Sequence, residues 1–587
     1  MEGLRWHDLR RLAGEALVKA AKVTSWALVL AILNPFGIRD LAETRSHESW
    51  QQLYAPYYAP APESRQRQAR DEITIVLLDD ASRNRIAEHR SIDSLDVVQM
   101  IDDIIQAPGA GAAPKALFID ILLGGAAPPE RSLNSLVDWS DPDKAACGAA
   151  IRTKIRSTFV CLLIKVAEIT AYDRWRDNPR CRDNNLAKVL CIEQAGGIPL
   201  LFADARPLDH NEGAPGATPA ASVGIAALDR FAVVVPVGVD AHAYPLVHRD
   251  GAHGRITLSP AAALYAAHCE RQGCAPSPFK NTDGHSDWSR RFDRGVDVVW
   301  GVDVSGKDDE AERPFRKMLN RLEGKAPGPC GRWERSLSSS IRRFAELAAS
   351  GIEKKRPAAC VYTDALAYRL LQSNITPEEA RQALGGRIVL LGAALAGSND
   401  IIPATPYGAL PGVFLHAMAL DNLIQRGAAY PKTPAEIWPG LTLTSNNVIE
   451  LIAVFGVGLI LSLAQAWLQL REAAERPVPI LARFLLLATF AGVVFLLIFF
   501  LSGGVAIIPE SFNVAIVAVV CVVELLKFTI EVFEPFNNWL CDRLKQVWKS
   551  PAQSHGGPGN DHSIDLSGVD GRGAASEGLP AGSDRPI

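Results

Sequence analysis

Four acidic residues and one histidine are the side chains of this sequence best suited to hold a ligand. Asp79 and Asp80 end the apolar run ITIVLLDD, Asp120 ends ALFID, and Asp400 follows RIVLLGAALAGSN. Open α/β sheets bind ligands in the crevice at the carboxyl ends of their parallel strands, where carboxylates in these positions would meet. His416 lies within the apolar segment VFLHAMAL. We therefore predict a ligand site at Asp79, Asp80, Asp120, Asp400 and His416.

Each of these residues also has an ordinary structural role open to it. Acids directly after strands cap the helices that follow or solvate the edge of the sheet. A histidine on an apolar helix is commonly hydrogen-bonded within the core, here to a polar neighbour such as Asp400. The residue types alone leave both roles open.

Other chemistry-bearing patterns are unspecific. Metal-ligand types cluster at Asp240, His242, His248, Asp250 and His253. Their spacing matches no specific zinc pattern, and a solvated turn between strands accounts for them, so we predict no metal site.

The segment GAALAGSN, which begins at Gly392, resembles the start of a phosphate-binding loop. Ser398 stands where the lysine of such a loop should be, so we predict no nucleotide site and no cofactor. With no nucleophile motif, we expect no enzymatic activity. A formal net charge of -4 gives no basic field for nucleic acid, which we exclude as a partner.

Two β-α-β units would position the acids. In the first, the continuous apolar run 73–80 indicates a buried parallel strand. The segment SLDVVQMIDDIIQ follows, with Leu95, Val98, Ile101 and Ile105 on one helical face, and KALFIDILL is the second strand.

The second unit lies near residue 400. Thr376 and Glu379 form a capping-box pattern at the start of one helix; RIVLLGAA predicts a strand and PGVFLHAMALDNLIQRG a helix ending at Gly427. If both units share one sheet, the fold is an α/β domain with a mostly parallel sheet flanked by helices.

The middle of the chain is less regular. ASVGIAALDRFAVVVPVGVDAHAYPLV predicts strands around a turn, SPAAALYAAH a helix and DVVWG another strand. The polar range from about 280 to 355 reads as insertions or loops.

Four apolar segments have lengths suited to crossing a bilayer, which is a predicted partner of the chain. They are 23–38, 448–470, 484–501 and 512–528. A cleaved signal peptide is the alternative for the first, but Asn34, Pro35 and Phe36 make a poor cleavage site, and an uncleaved anchor is favoured.

Basic residues set the orientation of these segments. They occur before the first segment, between the second and the third, and from the end of the fourth onwards: Arg5, Arg10, Arg11, Lys19, Lys22, Arg471, Arg476, Arg483, Lys527, Arg543, Lys545 and Lys549. By the positive-inside rule, both termini, including the basic segment 1–22, are cytoplasmic, and residues 39 to about 447 lie outside.

Most cysteines fall in the predicted exported region. They are Cys147, Cys161, Cys181, Cys191, Cys269, Cys274, Cys330 and Cys360. An oxidising compartment permits disulfides among them, and free buried thiols are the alternative.

The strand and acids ITIVLLDD, the strand ALFIDILL and the block GRIVLLGAALAGSNDIIPATPYGALPGVFLHAMALDNLI resemble a CHASE2 domain. The resemblance covers roughly 45–430 and is strongest over 360–427. It implies a bacterial extracytoplasmic sensory domain, anchored in the inner membrane as a multi-pass protein, and the three membrane segments after the domain match the usual arrangement in the family.

Family members typically continue into a cytoplasmic kinase, cyclase or phosphodiesterase. Only about 60 residues follow Phe528, fewer than a catalytic output domain needs. Within them, 532–549 predicts an amphipathic helix at the inner membrane surface, and 551–587 is predicted to be disordered.

We therefore expect a membrane sensor or signalling subunit that detects an unknown extracytoplasmic ligand and relays it to a separate cytoplasmic output protein. Homo-oligomerisation is compatible with this layout. A non-enzymatic scaffold subunit of a membrane complex is the alternative, and an exported enzyme is a third and weaker one.

Overall fold

The structure is a computed structural model. It describes the ranges 69–87, 92–121, 159–182, 184–204, 227–237, 244–249, 256–272, 292–301, 364–372, 375–395, 401–405, 408–433, 436–438 and 443–444, with residues 51, 58, 147 and 274 and isolated residues between 14 and 25 and between 455 and 463. The chain divides into two units, Met1–Cys521 and Val522–Ile587, and all of the described residues belong to the first.

The described residues form strands and helices in alternation. The strands are β1 (Ile73–Asp79), β2 (Ala116–Asp120), β3 (Leu200–Asp204), β4 (Val233–Pro236), β5 (Val247–Arg249), β6 (Ile256–Leu258), β7 (Asp364–Ala367), β8 (Ile388–Ala394), β9 (Ile401–Thr405), β10 (Gly408–Pro411), β11 (Glu436–Trp438) and β12 (Leu443–Thr444). The α-helices are α1 (Asp80–Ala87), α2 (Ser94–Gln106), α3 (Phe159–Ile169), α4 (Tyr172–Trp175), α5 (Asn185–Gln194), α6 (Pro260–Gln272), α7 (Tyr368–Gln372), α8 (Pro377–Leu384) and α9 (Val413–Arg426). Short 3₁₀ helices cover Ala69–Glu72, Pro179–Arg182 and Gly427–Ala429.

A six-stranded sheet in the order β4-β3-β2-β8-β1-β7 forms the centre of the domain. All of its pairings are parallel. β8 lies between β1 and β2, where Ile388 is level with Ile73 on one side and with Ala116 on the other. The prediction that the two β-α-β units share one mostly parallel sheet is thus confirmed.

Helices cover both faces of the sheet, which explains why its strands are apolar on both sides. In β8, Leu390 packs on the face that is covered by α5, α6 and α9. Its neighbour Leu391 packs on the opposite face, with α1, α2, α3 and α8. Successive side chains of a strand point to opposite faces, so each strand contributes to both layers of the core.

The helix boundaries follow the capping signals in the sequence. Thr376 and Glu379 form the predicted capping box at the start of α8, and α9 ends at Gly427, whose φ of 56° suits a glycine. In α2 the predicted apolar positions Leu95, Val98 and Ile101 are buried, whereas the fourth, Ile105, is half-buried and Ile104 is buried beside it. These helix predictions are confirmed.

The predicted strand DVVWG was wrong. Residues 297–301 join no ladder; two isolated bridges form at Val296 instead, one to Tyr244 and one to Lys432. The reason is that side chains satisfy this backbone: Asn422 bonds both the N–H and the C=O of Val299. The backbone of a buried apolar run can be hydrogen-bonded by a neighbouring strand or by side chains. The sequence pattern is the same in both cases, so it does not show which of them occurs.

The stretch before β4 also differs from the prediction. Residues 227–231, expected as part of a strand, are helical, and Leu228 and Phe231 pack into the face formed by α2 and α3. A short apolar run does not distinguish a strand from a buried helical turn, because both conceal the same residue types. The predicted helix SPAAALYAAH is confirmed as the start of α6.

The four predicted membrane segments lie almost wholly outside the described residues, as do the amphipathic segment 532–549 and the tail 551–587. Within the part that is described, none of the helices combines the length and the apolar character needed to span a bilayer. The membrane topology therefore stays a prediction.

Six of the cysteines form disulfides. The pairs are Cys147–Cys161, Cys181–Cys191 and Cys269–Cys274. Each pair closes a local loop, with sequence separations of 14, 10 and 5 residues. Disulfides persist in oxidising compartments, so the pairing agrees with export of this domain. Cys330 and Cys360 lie outside the described residues.

Replacing Cys181 and Cys191 together by alanine should lower the free energy of unfolding by about 2–3 kcal/mol, because a closed ten-residue loop restricts the unfolded chain. Urea denaturation of the full chain in detergent measures the loss. Cys541→Ala, in the predicted cytoplasmic part, is the control and should leave stability unchanged. Alkylation before reduction should spare all six paired cysteines; labelling of Cys181 or Cys191 in unreduced protein would contradict the assignment.

Candidate functional site

The connections of the sheet create a switch point at its carboxyl edge. After β1 and after β2 the chain next forms, among its described elements, the helices α1, α2 and α3, which lie on one face of the sheet. After β8, which lies between them, it passes through β9 and β10 to α9 on the opposite face. Where neighbouring strands send their connections to opposite faces, a crevice opens outside their carboxyl ends, and open α/β sheets bind ligands there.

Asp79 and Asp120 both lie at this edge, as predicted. Asp79 is level with Ala394 of β8, and Asp120 is level with Gly392 on the other side of the same strand. With neighbouring strands about 4.8 Å apart, the strands that carry the two acids are separated by roughly 10 Å.

Asp79 has a structural role at the start of α1. Its Oδ1 accepts a hydrogen bond of 2.7 Å from the backbone N–H of Ser82 and another from the Ser82 hydroxyl. Its Oδ2 lies 3.3 Å from Nε of Arg369, on α7. Ser82 Oγ in turn accepts the backbone N–H of Arg369 at 2.9 Å. This carboxylate therefore caps α1 and joins it to α7.

The structure describes only one of the other two acids of the predicted site. Asp80 is the exposed first residue of α1. Asp400 lies outside the described residues, so its expected contact with His416 stays a prediction.

Asp120 and His416 do come together. Oδ2 of Asp120 lies 3.7 Å from Nε2 of His416, and their side chains are only 9% and 5% exposed. The ring of Phe118, two residues before Asp120 on the same face of β2, meets the imidazole edge-on with centroids 5.1 Å apart. The helix α9 thus places its histidine directly over the end of β2.

Tyr244 is the second polar partner of His416. Its Oη lies 2.7 Å from Nδ1 of the imidazole and accepts the backbone N–H of Ala261, in the first turn of α6, at 3.1 Å. The phenol can therefore accept from α6 and donate its own hydrogen to Nδ1. That arrangement favours the tautomer with its hydrogen on Nε2, facing Asp120.

Burial sets the protonation of this cluster. Loss of hydration lowers the pKa of His416 to about 3, so the imidazole is neutral at ordinary pH. Burial likewise raises the pKa of Tyr244, opposed by its hydrogen bond from Ala261. Asp120, His416 and Tyr244 are thus three neighbouring polar side chains between β2 and the start of α6, with donors and acceptors suited to recognising a polar ligand.

Gly392 allows α9 to approach the sheet at this point. A Cβ on Gly392 would lie 2.4 Å from Cβ and 2.5 Å from Cγ1 of Val413, the first residue of α9. Gly392 is level with Asp120 in the ladder. The glycine that resembled part of a phosphate-binding loop therefore has a packing role, which sets the distance between α9 and the end of β2.

Of the unspecific metal-ligand set, only His248 is described. It lies buried on β5, where burial lowers its pKa to about 4, and its Nε2 has no hydrogen-bond partner among the described residues. Within that part of the chain, no three His, Cys, Asp or Glu side chains are grouped closely enough to hold a metal. Asp240, His242, Asp250 and His253 lie outside it.

Sequence reasoning missed Tyr244, Ser82 and Arg369. Ser82 lies three residues after Asp79, a spacing typical of a helix cap, so a local signal for it existed. Tyr244 and Arg369 reach the site from segments far away in sequence, and only the folded sheet brings them there.

Replacing His416 by Gln should reduce the acid sensitivity of the domain. The pKa of histidine is 6.5 in the unfolded chain and about 3 at this site. The contribution of His416 is therefore complete above pH 6.5 and is lost as the pH falls. Between pH 7 and pH 5 it amounts to roughly 2 kcal/mol of unfolding free energy.

Urea denaturation at the two pH values measures this difference. Two other buried groups also titrate in this range. Burial lowers the pKa of His248 to about 4. Burial raises the pKa of Glu193 to about 7, although the nearby Arg271 acts to lower it. Those groups remain in both proteins, so the comparison isolates His416. An equal loss of stability in wild type and variant would contradict the prediction, as would an NMR titration showing His416 protonated at pH 5.

Replacing Gly392 by Ala should cost about 1–3 kcal/mol of unfolding free energy, because the added methyl meets Val413. Denaturation of the single variants and of the double variant Gly392→Ala with Val413→Gly tests the origin of the cost. The alanine should be better tolerated in the double variant. If Gly392→Ala lowers the unfolding free energy by the same amount with glycine at position 413 as with valine, the contact with Val413 is not responsible.

Comparison with known proteins assigns the family. The family model for the CHASE2 domain matches residues 25–460, a range that includes the whole six-stranded sheet and the Asp120–His416 pair. No curated protein and no solved structure matched the chain when it was compared with them. CHASE2 domains are sensory domains, typically extracellular parts of membrane proteins. Since the match covers more than half of the sequence, the chain belongs to the CHASE2 domain family.

Proposed function

We propose that this chain is a bacterial inner-membrane sensor that binds an extracytoplasmic ligand at the carboxyl edge of its sheet and relays binding to a separate cytoplasmic protein. The observation that carries the proposal is the cluster of Asp120, His416 and Tyr244 at the switch point of a domain from a sensory family. Buried polar groups at such a point are characteristic of ligand sites.

The groups of this cluster suit recognition of a small polar ligand. The carboxylate of Asp120 accepts hydrogen bonds, and the neutral imidazole of His416 offers one donor nitrogen. At 3.7 Å, Asp120 Oδ2 and His416 Nε2 are too far apart for a good hydrogen bond to each other. A ligand that accepts from Nε2 and donates to the carboxylate would bridge the two groups.

We also propose that the domain binds without catalysing a reaction. The described polar partners of His416 are a phenol and a carboxylate, and Asp79 serves as a helix cap. We therefore expect that the wild type converts no substrate, and that replacing Asp79 or Asp400 abolishes no enzymatic activity. Turnover of any compound by the wild type, lost in these variants, would overturn this part of the proposal.

Membrane relay follows from the predicted layout. Three predicted segments, 448–470, 484–501 and 512–528, connect the exported domain to the predicted amphipathic segment 532–549. That segment has Phe536, Leu540, Leu544 and Val547 on one helical face, which a helix of a partner protein could cover. A bound ligand would act by favouring one of two arrangements of these segments.

Site variants should change the contacts of the cytoplasmic part. In cells that carry the full chain, Cys541 is crosslinked to neighbouring proteins in wild type, Asp120→Asn and His416→Gln. We expect the yield of at least one crosslinked product to change about fivefold or more, the size typical of coupling between sites. Glu378→Gln, an exposed acid on α8 paired with Arg381, is the control and should match the wild type.

The alternative function is a scaffold subunit with constant partners. It predicts the same crosslinked products at the same yields in wild type, both site variants and the control. That outcome, with the site variants shown to be folded by their denaturation curves, would replace the sensor proposal with the scaffold.

A further inference from the structure

Residues 295–300 form a largely buried segment, which we call the linking segment. Val296, Asp297, Val298, Val299 and Trp300 are all less than a tenth exposed. The segment belongs to neither a helix nor a strand of the sheet. Its hydrogen bonds instead reach the candidate site, α9 and the two ends of the domain.

One side of the linking segment holds the tyrosine of the site. Tyr244 and Val296 exchange two backbone hydrogen bonds, from Tyr244 N to Val296 O at 3.0 Å and from Val296 N to Tyr244 O at 2.7 Å. The hydroxyl of the same tyrosine contacts His416. Only the side chain of Tyr244 therefore lies between the imidazole of His416 and the backbone that is bonded to the linking segment.

The other side pairs with the chain that leaves the domain. Asp297 N donates to Pro431 O at 2.9 Å, and Thr433 N donates to Gly295 O at 2.9 Å. The hydroxyl of Tyr430 donates to Arg294 O at 2.8 Å. Residues 430–433 follow α9 and lead towards the predicted membrane segment 448–470.

The linking segment also contacts the beginning of the domain. The side chain of Gln51 donates to Val298 O at 2.9 Å and accepts Trp300 N at 3.0 Å. Gln51 follows the predicted anchor 23–38. Between these bonds, Asn422 of α9 pairs with both backbone groups of Val299 at 3.1 and 3.0 Å.

We propose that the linking segment is the output connection of the site, which moves the membrane-proximal chain at Gln51 and at 430–433 when the Tyr244–His416 contact changes. This inference rests on the proposed sensor function and specifies its internal route. The physical reason is that breaking a buried backbone hydrogen bond without replacement is costly. Displacement of Tyr244 is therefore passed on through these bonds, which shift and loosen together.

Hydrogen exchange of the full chain in lipid nanodiscs tests the connection. Tyr244→Phe keeps the ring but removes the hydroxyl that contacts His416 and accepts from Ala261. We expect the amides of Val296, Asp297 and Thr433 to exchange about two- to tenfold faster, as loosening of single hydrogen bonds predicts. The amides of β1 and β8 should keep their rates.

Tyr172→Phe is the matched control, since the ring contacts of this tyrosine on α4 are with Trp175 and Phe231. It should leave the exchange of 295–297 and 431–433 unchanged. Unchanged rates in Tyr244→Phe would overturn the inference. Equal acceleration throughout the sheet would do so too, because it indicates general loss of stability.

The reverse perturbation supplies a second readout. Gln51→Ala removes a contact at the far end of the linking segment and should speed exchange of the Ala261 amide, since coupling between two positions is reciprocal. An unaffected Ala261 amide would count against the connection.

The two proposals can fail separately. If the Cys541 crosslinks respond to Asp120→Asn while exchange at 431–433 does not respond to Tyr244→Phe, the sensor function stands and this route is wrong. If exchange responds and the crosslinks do not, the route stands and the cytoplasmic relay is wrong.

Discussion

The packing of α9 against β8 is the contact on which the rest of this domain depends. β8 is bonded on both sides, by β1 and by β2, and α9 reaches it only because residue 392 has no side chain. That close approach sets His416 over the end of β2 and Asn422 beside Val299. One helix therefore fixes both the site and the linking segment, and a shift in its position would alter the two together.

The parallel sheet and its helices could be predicted from sequence because their signals are local. Buried strands are continuous apolar runs, as in 73–79 and 388–394, and helix ends carry caps such as Thr376 and Gly427. The order of the strands had no such signal. Residues 297–301 were misread because hydropathy reports burial, whereas strand formation depends on which partner satisfies the backbone.

The candidate site was predictable in part for the same reason. Asp79 and Asp120 were placed correctly because strand ends can be read from sequence, and His416 was found by its chemistry on an apolar helix. Their partners were not predictable. Tyr244 lies in a segment with no regular pattern, and its contact to His416 spans 172 positions of the chain. Asp79 also shows that an acid at the end of a strand can cap the following helix. Its residue type is the same for capping and for ligand binding, so the sequence could not distinguish the two roles.

The position of β8 in the sequence constrains how the domain can fold. The strand at the middle of the sheet is formed by residues 388–394, long after β1 and β2, its two neighbours. A chain that emerges with its N-terminus first presents those two strands with an open gap between them. The gap closes only when about 270 further residues have emerged, and pairings that distant in sequence form slowly. β2, β3 and β4 can pair with one another earlier, but β1 and β7 join them only through β8. The complete sheet should therefore form late, and until then the domain depends on protection of its unpaired strand edges.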